Sequence, residues 1–132
     1  MEVELKPLCE KNGLGTTIYS PLASGMLTGK YNNGVPRDSR WGMDNQQKRR
    51  EFLESTEGKS QLEKVSALSK VADDLGVTMP QLALAWCLKN PHVSTVILGA
   101  TRPEQITENV KALDVVDKIT DEVFPTIQKI AA

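Results

Sequence analysis

Two stretches gather the residue types that could hold an anionic, ring-bearing ligand. In the first, Ser94 to Asn109, the apolar run Thr95-Val96-Ile97-Leu98 gives way to Gly99-Ala100 and then to Thr101-Arg102-Pro103-Glu104. Thr101 with Glu104 three residues on spells a capping box, and Pro103 suits a first helical turn, where a missing N–H costs little. Free N–H groups and the positive end of a helix dipole attract anions, and Arg102 adds a full charge beside them. In the second stretch, Tyr19-Ser20-Pro21-Leu22-Ala23-Ser24 runs on through Gly25 to Lys30 and Tyr31, with Arg40 beyond. Tyr19 offers a flat face to a planar ring, and Lys30 and Arg40 could reach a phosphate. Taken alone, Tyr19 also reads as a packing residue and the two cations as ordinary surface charges. Together the two stretches suggest a dinucleotide or a nucleotide phosphate.

The remaining catalytic inventory is thin. His92 is the only histidine, in a Pro-containing turn before a strand, at the end opposite the expected site. No Ser/His/Asp set can be built around it, and no metal-ligand spacing occurs. Asp73 and Asp74 read as solvated helix residues. Cys87, beside Trp86 in an apolar helix, reads as a buried and inert thiol.

The elements that would position these residues alternate between strand and helix. Glu2 to Lys11 reads as a short helix with Leu5, Leu8 and Cys9 on one face, stopped at Asn12-Gly13. Leu14 to Tyr19 is the first strand. Residues Ser20 to Tyr31 are too rich in Gly and small side chains for a regular element and form a long connection, of a kind that is usually functional or disordered. A helix fits around Asn45 to Glu54, where Lys48-Arg49-Arg50 reads as a solvated face. Lys59 to Leu75 is amphipathic through Leu62, Val65, Leu68, Ala72 and Leu75. Thr78 and Gln81 form a second capping box, opening a helix from Met79 to Lys89 that is apolar nearly all round and so must be buried.

The run Thr95 to Leu98 then predicts a buried strand. The helix after Thr101 is expected to bury Ile106, Val110 and Leu113. A last helix from near Thr120 carries Val123, Ile127 and Ile130 on one stripe, with fraying expected at Pro125. Such an order means right-handed βαβ units and a parallel sheet, which places ligands at the carboxyl ends of the strands.

Composition removes several classes of function. With 16 Lys plus Arg against 17 Asp plus Glu in 132 residues, there is no field to attract nucleic acid or an anionic membrane. No apolar run approaches the ~20 residues of a membrane span, and Met-Glu-Val-Glu-Leu-Lys has no signal-peptide pattern. Cys9 and Cys87 are far apart with no CxxC, so a reduced, cytoplasmic setting is expected.

At the two strand ends the residues also resemble a known family. Tyr19 to Tyr31 resembles the segment after the seventh barrel strand of aldo-keto reductases. Leu98 to Asn109 resembles their NADPH-binding segment after the eighth strand, and Thr78 to Asn90 the buried helix between them. The resemblance runs from about Val3 to Ile130 and points to the potassium-channel β-subunit-like branch. It implies the C-terminal portion of a (β/α)8 barrel, about two βα units plus a C-terminal helix, hence an incomplete barrel and a partial domain over residues 1–132.

By the same resemblance, Tyr19 stacks on the nicotinamide, Ser20, Pro21, Leu22, Ala23 and Ser24 wrap the pyrophosphate, and Lys30 and Arg40 meet phosphates and adenine. Gly99, Thr101, Gln105, Glu108 and Asn109 hold the adenosine half, with Arg102 a candidate for the 2′-phosphate by proximity. Gly99 and Gln105 stand where reductases of the smaller-substrate branch often carry Lys and Arg, so the choice between NADPH and NADH stays open. Asp38 replaces an aromatic of some channel subunits.

The family's catalytic Asp, Tyr, Lys and His belong to the early barrel strands and have no counterpart in this chain; no residue here is assigned as catalytic. Three readings follow. One is the cofactor half of an NADPH-dependent aldehyde or ketone reductase. Another is a β-subunit-like protein that binds NADPH and a channel. The third is an inactive truncated fragment, or an incomplete gene model. The expected partners are a nicotinamide cofactor, a carbonyl substrate, and a channel subunit or further copies of the chain. A whole barrel needs about 200–250 residues, so two strands with open edges are expected to associate.

Overall fold

The computed structural model describes residues 4–132. Among them run α1 (Leu5–Asn12), β1 (Thr16–Tyr19), α2 (Gln47–Glu54), α3 (Thr56–Asp74), α4 (Met79–Leu88), β2 (Val93–Ile97), α5 (Pro103–Val110) and α6 (Val123–Ala131). Short 3₁₀ segments lie at Ala23–Thr28, Arg40–Gly42, Asp44–Gln46 and Lys111–Lys118. The expected helix start at Glu2 lies outside the described residues. The end of α1 is as expected: Gly13 takes a left-handed φ of 64° and its N–H donates to the Cys9 carbonyl. Cys9 is buried, whereas Leu5 and Leu8 are exposed. Spacing named an inward stripe on α1, but no described element covers its far side.

The two strands pair in parallel, Thr16 with Val93, Thr17 with Thr95, Ile18 with Val96 and Tyr19 with Ile97. Gly15 lets them approach: a Cβ there would collide with the Ser94 side chain. The His92 carbonyl accepts from the Thr16 backbone N–H at 2.6 Å and from its hydroxyl at 2.8 Å. His92 Nε2 lies 3.2 Å from Glu10 Oε1. The histidine therefore pins the strand starts, at the end opposite the loops of interest.

The second strand was expected to be buried over 95–98. It covers 93–97 instead, with Ser94, Thr95 and Ile97 exposed. The reason is structural: α4 packs on β2, and one helix covers one face of a two-stranded sheet.

Helix α4 is the hub, touching α3, α5, α6-side residues through the core, β2 and the segments Ala23–Thr28 and Lys111–Lys118. The expected capping box opens it. Thr78 Oγ1 accepts from the Gln81 N–H at 3.4 Å, and Gln81 Oε1 accepts from the Thr78 N–H at 3.1 Å. Leu82, Ala83, Leu84 and Ala85 are buried behind it, and Trp86 stacks on Phe124 of α6 at 4.4 Å between centroids. Leu68 and Ala72 of α3, Val115, Ile119 and Ile127 of α6 complete this core.

A second, smaller core gathers Met26, Tyr31, Trp41, Leu53 and Val65. Helix α3 begins at Thr56, before the expected Lys59, because Ser55 caps it through the Gly58 N–H at 3.0 Å. In α6, Pro125 is the third residue, where its missing N–H breaks no internal bond. The first turn is held by the Val123 N–H on Thr120 Oγ1 and the Phe124 N–H on the Thr120 carbonyl. The expected fraying at Pro125 therefore has no basis in the hydrogen bonding.

Candidate functional site

Parallel pairing of Tyr19 with Ile97 sets the carboxyl ends of β1 and β2 side by side. The loop after β1 and the loop after β2 therefore leave the sheet as neighbours, as the parallel reading required. Tyr19, which was to be either a platform or a packing residue, is 83 % exposed at that edge. A ring so open makes no packing contribution of consequence, and its faces remain available.

The loop after β1 is not wholly irregular, as its composition had implied. It winds into a kinked 3₁₀ segment over Ala23–Thr28. Ser20, Ala23 and Ser24 hold positive φ values of 54°, 48° and 58°. Left-handed backbone at residues with a Cβ costs on the order of 1–3 kcal/mol each and persists where the surroundings enforce it. The surroundings here are apolar anchors. Met26 is buried in the smaller core, Leu22 packs against the larger one, and Leu27 packs against both. The loop is thus anchored to both cores by its apolar side chains.

Lys30 returns over this loop. A Cβ at Gly25 (φ 102°) would lie 3.2 Å from Lys30 Nζ and 3.4 Å from Tyr31 Oη. The ammonium also sits 5.1 Å from the centre of the Tyr31 ring. Arg40 is exposed at the start of the next 3₁₀ turn, adjoining Trp41. Among the described residues, Lys30, Arg40 and Arg102 form no ion pair, so all three charges are free to meet an anion.

At the second loop the expected cap is corrected. Helix α5 starts at Pro103 with Arg102 as its N-cap and no side-chain cap bond, so Thr101 and Glu104 do not form a capping box. Pro103 occupies the first helical position, which moves the cap one residue past Thr101 and out of register with Glu104. Gln105 reaches back instead, its Oε1 accepting from the Thr101 N–H at 2.8 Å and lying 3.3 Å from the Thr101 hydroxyl. Gly99 is exposed, with nothing within 4 Å of where a Cβ would stand.

Of the two expected readers further along α5, Glu108 is exposed and Asn109 is not. Glu108 pairs with Lys111 at 2.6 Å, and its carbonyl accepts from Gln81 Nε2 at 3.0 Å. Asn109 is buried. The stripe Ile106, Val110 and Leu113 was expected inside and is 52 %, 51 % and 63 % exposed. Helix α5 meets α4 and the Lys111–Lys118 segment with Asn109, Ala112 and Val115 inward; the apolar stripe looks the other way.

Sequence reasoning missed Tyr31, Trp41 and the arginines behind them. Tyr31 and Trp41 are fully enclosed and stacked at 4.4 Å. Arg50 Nη1 donates to the carbonyls of Trp41 and Met43, both at 2.7 Å, and the Arg49 guanidinium lies 5.4 Å from the Trp41 ring centre. The Lys48-Arg49-Arg50 cluster is therefore a partly structural clamp and not merely a solvated face. The available signal was a lone Trp in a polar stretch followed by Arg at helical reach. Cys87 is half-buried, and burial pushes its thiol pKa up, which agrees with an unreactive role. No group of three or more His, Cys, Asp or Glu suited to a metal occurs among the described residues.

Known proteins resemble this chain over nearly its whole length. The family model for the aldo/keto reductase family matches residues 1–132. Three curated relatives carry, provisionally, the name voltage-gated potassium channel subunit beta. The one from Schizosaccharomyces pombe is 51 % identical over 129 residues, covering 98 % of this chain and 37 % of that protein. Those from Arabidopsis thaliana and Oryza sativa subsp. japonica are 48 % and 47 % identical over 133 residues, each covering 98 % of this chain and 39 % of the relative. The chain thus spans under two fifths of the length of these relatives.

Proposed function

The chain belongs to the aldo/keto reductase family, and from that premise we propose that it forms the NADPH-binding, C-terminal part of a (β/α)8 carbonyl reductase. Helix-rich architecture with two adjacent parallel strands suits two βα units of such a barrel. The observation that carries the reading is the pairing of Tyr19 with Ile97, which puts an open aromatic face and a strained, anchored loop next to the strand end that leads into the loop before α5.

These residues suit a nicotinamide dinucleotide. The open Tyr19 ring would hold the nicotinamide by stacking. Residues 20–24 would present backbone and hydroxyls to the pyrophosphate, with Lys30 and Arg40 as its counter-charges. Gly99, Thr101 and Gln105 would receive the adenosine half, with Arg102 for a 2′-phosphate. Glu108, exposed on α5, would join them, and the buried Asn109 would act through the position of α5. The bound cofactor supplies the hydride for reduction of an aldehyde or ketone. A proton must reach the carbonyl oxygen as well. Tyr31 is enclosed beneath Trp41 and Tyr19 serves as the platform, so the proton donor is assigned to barrel strands outside this chain. The chain by itself is expected to bind NADPH and not to turn it over.

Titration of the chain with NADPH, followed by nucleotide fluorescence, tests this. Saturable binding weakened by Tyr19→Ala is expected; absence of binding, or binding indifferent to Tyr19, Lys30 and Arg40 together, would sink it. Steady loss of NADPH absorbance with an aromatic aldehyde would overturn the non-catalytic assignment. A second reading, association with a channel's intracellular domain, is favoured by the names of all three relatives. Co-purification of the chain with such a domain would establish it, and its absence at micromolar concentrations would remove it.

A further inference from the structure

The dipeptide Asn-Gly occurs at Asn12-Gly13 and again at Asn33-Gly34. A glycine has no Cβ to shield its nitrogen, so that nitrogen can close a cyclic imide on the preceding Asn side chain and expel ammonia. All four residues are exposed, so access to water does not separate the two pairs. Backbone geometry does. Asn12 is the last residue of α1, and its Nδ2 donates to the Leu8 carbonyl at 2.8 Å. The Gly13 and Leu14 N–H groups both donate to the carbonyl of the buried Cys9. Ring closure at Asn12 must therefore release its side chain, free the Gly13 nitrogen and rotate Asn12 out of the helix. Asn33 stands in a turn outside any helix, closed by the Gly34 N–H on the Tyr31 carbonyl at 3.1 Å. Its side-chain amide has no hydrogen-bond partner among the described residues. Gly34 holds a φ of 108° with nothing within 4 Å of its Cβ position. A single turn bond in solvent is all that restrains the reacting nitrogen.

We propose that Asn33 is a site of spontaneous covalent modification, converted over days through a cyclic imide to isoaspartate, and that this product loosens the smaller core. In the first step the Gly34 nitrogen bonds to Asn33 Cγ, the Cγ–Nδ2 bond breaks, and ammonia leaves with the Gly34 proton. One water then opens the imide. Attack at Cγ gives aspartate. Attack at the main-chain carbonyl carbon, the more reactive of the two, gives isoaspartate, in which the chain runs on through Cβ and Cγ. Water is the only co-reactant, and nothing is oxidised or reduced. The inserted methylene falls in a short span between two anchors. Tyr31 is fully enclosed and stacked on Trp41, and Val35 packs against the same core. Between them the Asn32 N–H donates to the Gly29 carbonyl and the Gly34 N–H to the Tyr31 carbonyl, both at 3.1 Å. An extra chain atom breaks the Gly34 bond or displaces an anchor, and a close-packed interior transmits such strain. Met26, which anchors the loop after β1, belongs to that core. The modification holds whether or not the chain binds a nucleotide.

The test incubates the 132-residue chain for days at physiological temperature and mildly alkaline pH. Trypsin then separates the two pairs, cutting after Lys11, Lys30 and Arg37. Mass spectrometry finds the amide-to-acid conversion, and an isoaspartyl carboxyl methyltransferase labels the isoaspartate. Asn33 is expected to convert at least about tenfold faster than Asn12, because the helix end must open before its ring can close. In guanidinium chloride the two pairs should convert alike. Asn33→Gln should remove the isoaspartate from its peptide. The isoaspartyl form, resolved by ion exchange, should melt below the unmodified chain. Asn33→Asp carries the same added charge without the extra chain atom and should melt with wild type. An amide that persists at Asn33, equal conversion at Asn12, or a rate difference that survives in guanidinium would overturn the site. An isoaspartyl form that melts with wild type, or an Asn33→Asp chain that melts as low as it, would overturn the coupling to the smaller core.

Discussion

At the scale of single residues, exposure separates ligand contacts from fold contacts. Tyr19 is open to solvent, so Tyr19→Ala should change stability by less than about 0.5 kcal/mol, as at other surface positions. If the ring is a platform, stacking on a planar base is worth about 1–3 kcal/mol. NADPH affinity should then fall by about tenfold or more while the thermal transition stays in place; equal losses in both would recast Tyr19 as structural. Cys87 poses the opposite case. Its partial burial favours the neutral thiol, and the thiolate is the nucleophile. Alkylation of Cys87 by iodoacetamide near pH 8 should be several-fold slower in the folded chain than in urea. Equal rates would show the site to be open.

At the scale of elements, two helix starts that look alike on paper differ in space. Thr78 and Gln81 close a reciprocal capping box, and Gln81 also ties α4 to the Glu108 carbonyl of α5. Thr78→Ala should cost about 1 kcal/mol, lowering the melting temperature by roughly 3–6 °C. Thr101 caps nothing, since α5 takes Arg102 as its N-cap. Thr101→Ala should leave the melting temperature within about 1 °C of wild type, the usual range for an exposed substitution. Thermal scans of the two variants side by side decide the matter, and equal destabilisation would restore the Thr101 cap. Elements that depend on local grammar were readable in this way: the Gly13 stop, the Thr78 box and the amphipathic stripe of α3. The α5 start was misread by one residue because Pro103 competes for the same local signal.

For the whole molecule, burial is concentrated on one side. Leu82 and Ile119 are enclosed between α3, α4 and α6, so Leu82→Ala should cost about 2–5 kcal/mol. Ile106, Val110 and Leu113 form an apolar stripe in solvent, with Leu14 and Ile97 also exposed. Such a surface promotes association. Replacing Ile106 and Leu113 with Lys should reduce association in sedimentation velocity without lowering the melting temperature. A fall in stability instead would mean the stripe is covered in the folded chain. No helix among the described residues is long and apolar enough to cross a membrane.

By itself, the sequence determined most of the segments that become helix or strand, that the strands run parallel, and which two loops leave their carboxyl ends side by side. Those properties follow from short-range rules: capping, periodicity, and the right-handed crossover that parallel strands require. Tertiary structure alone decided which faces are covered. Periodicity marks an apolar face on α5 and β2 but does not name the partner that hides it, and here those faces remain open. It also decided that Tyr31 and Trp41, ten residues apart, stack on each other inside the smaller core. That contact depends on the loop's left-handed turns and on a clamp from α2, neither of which any local pattern encodes.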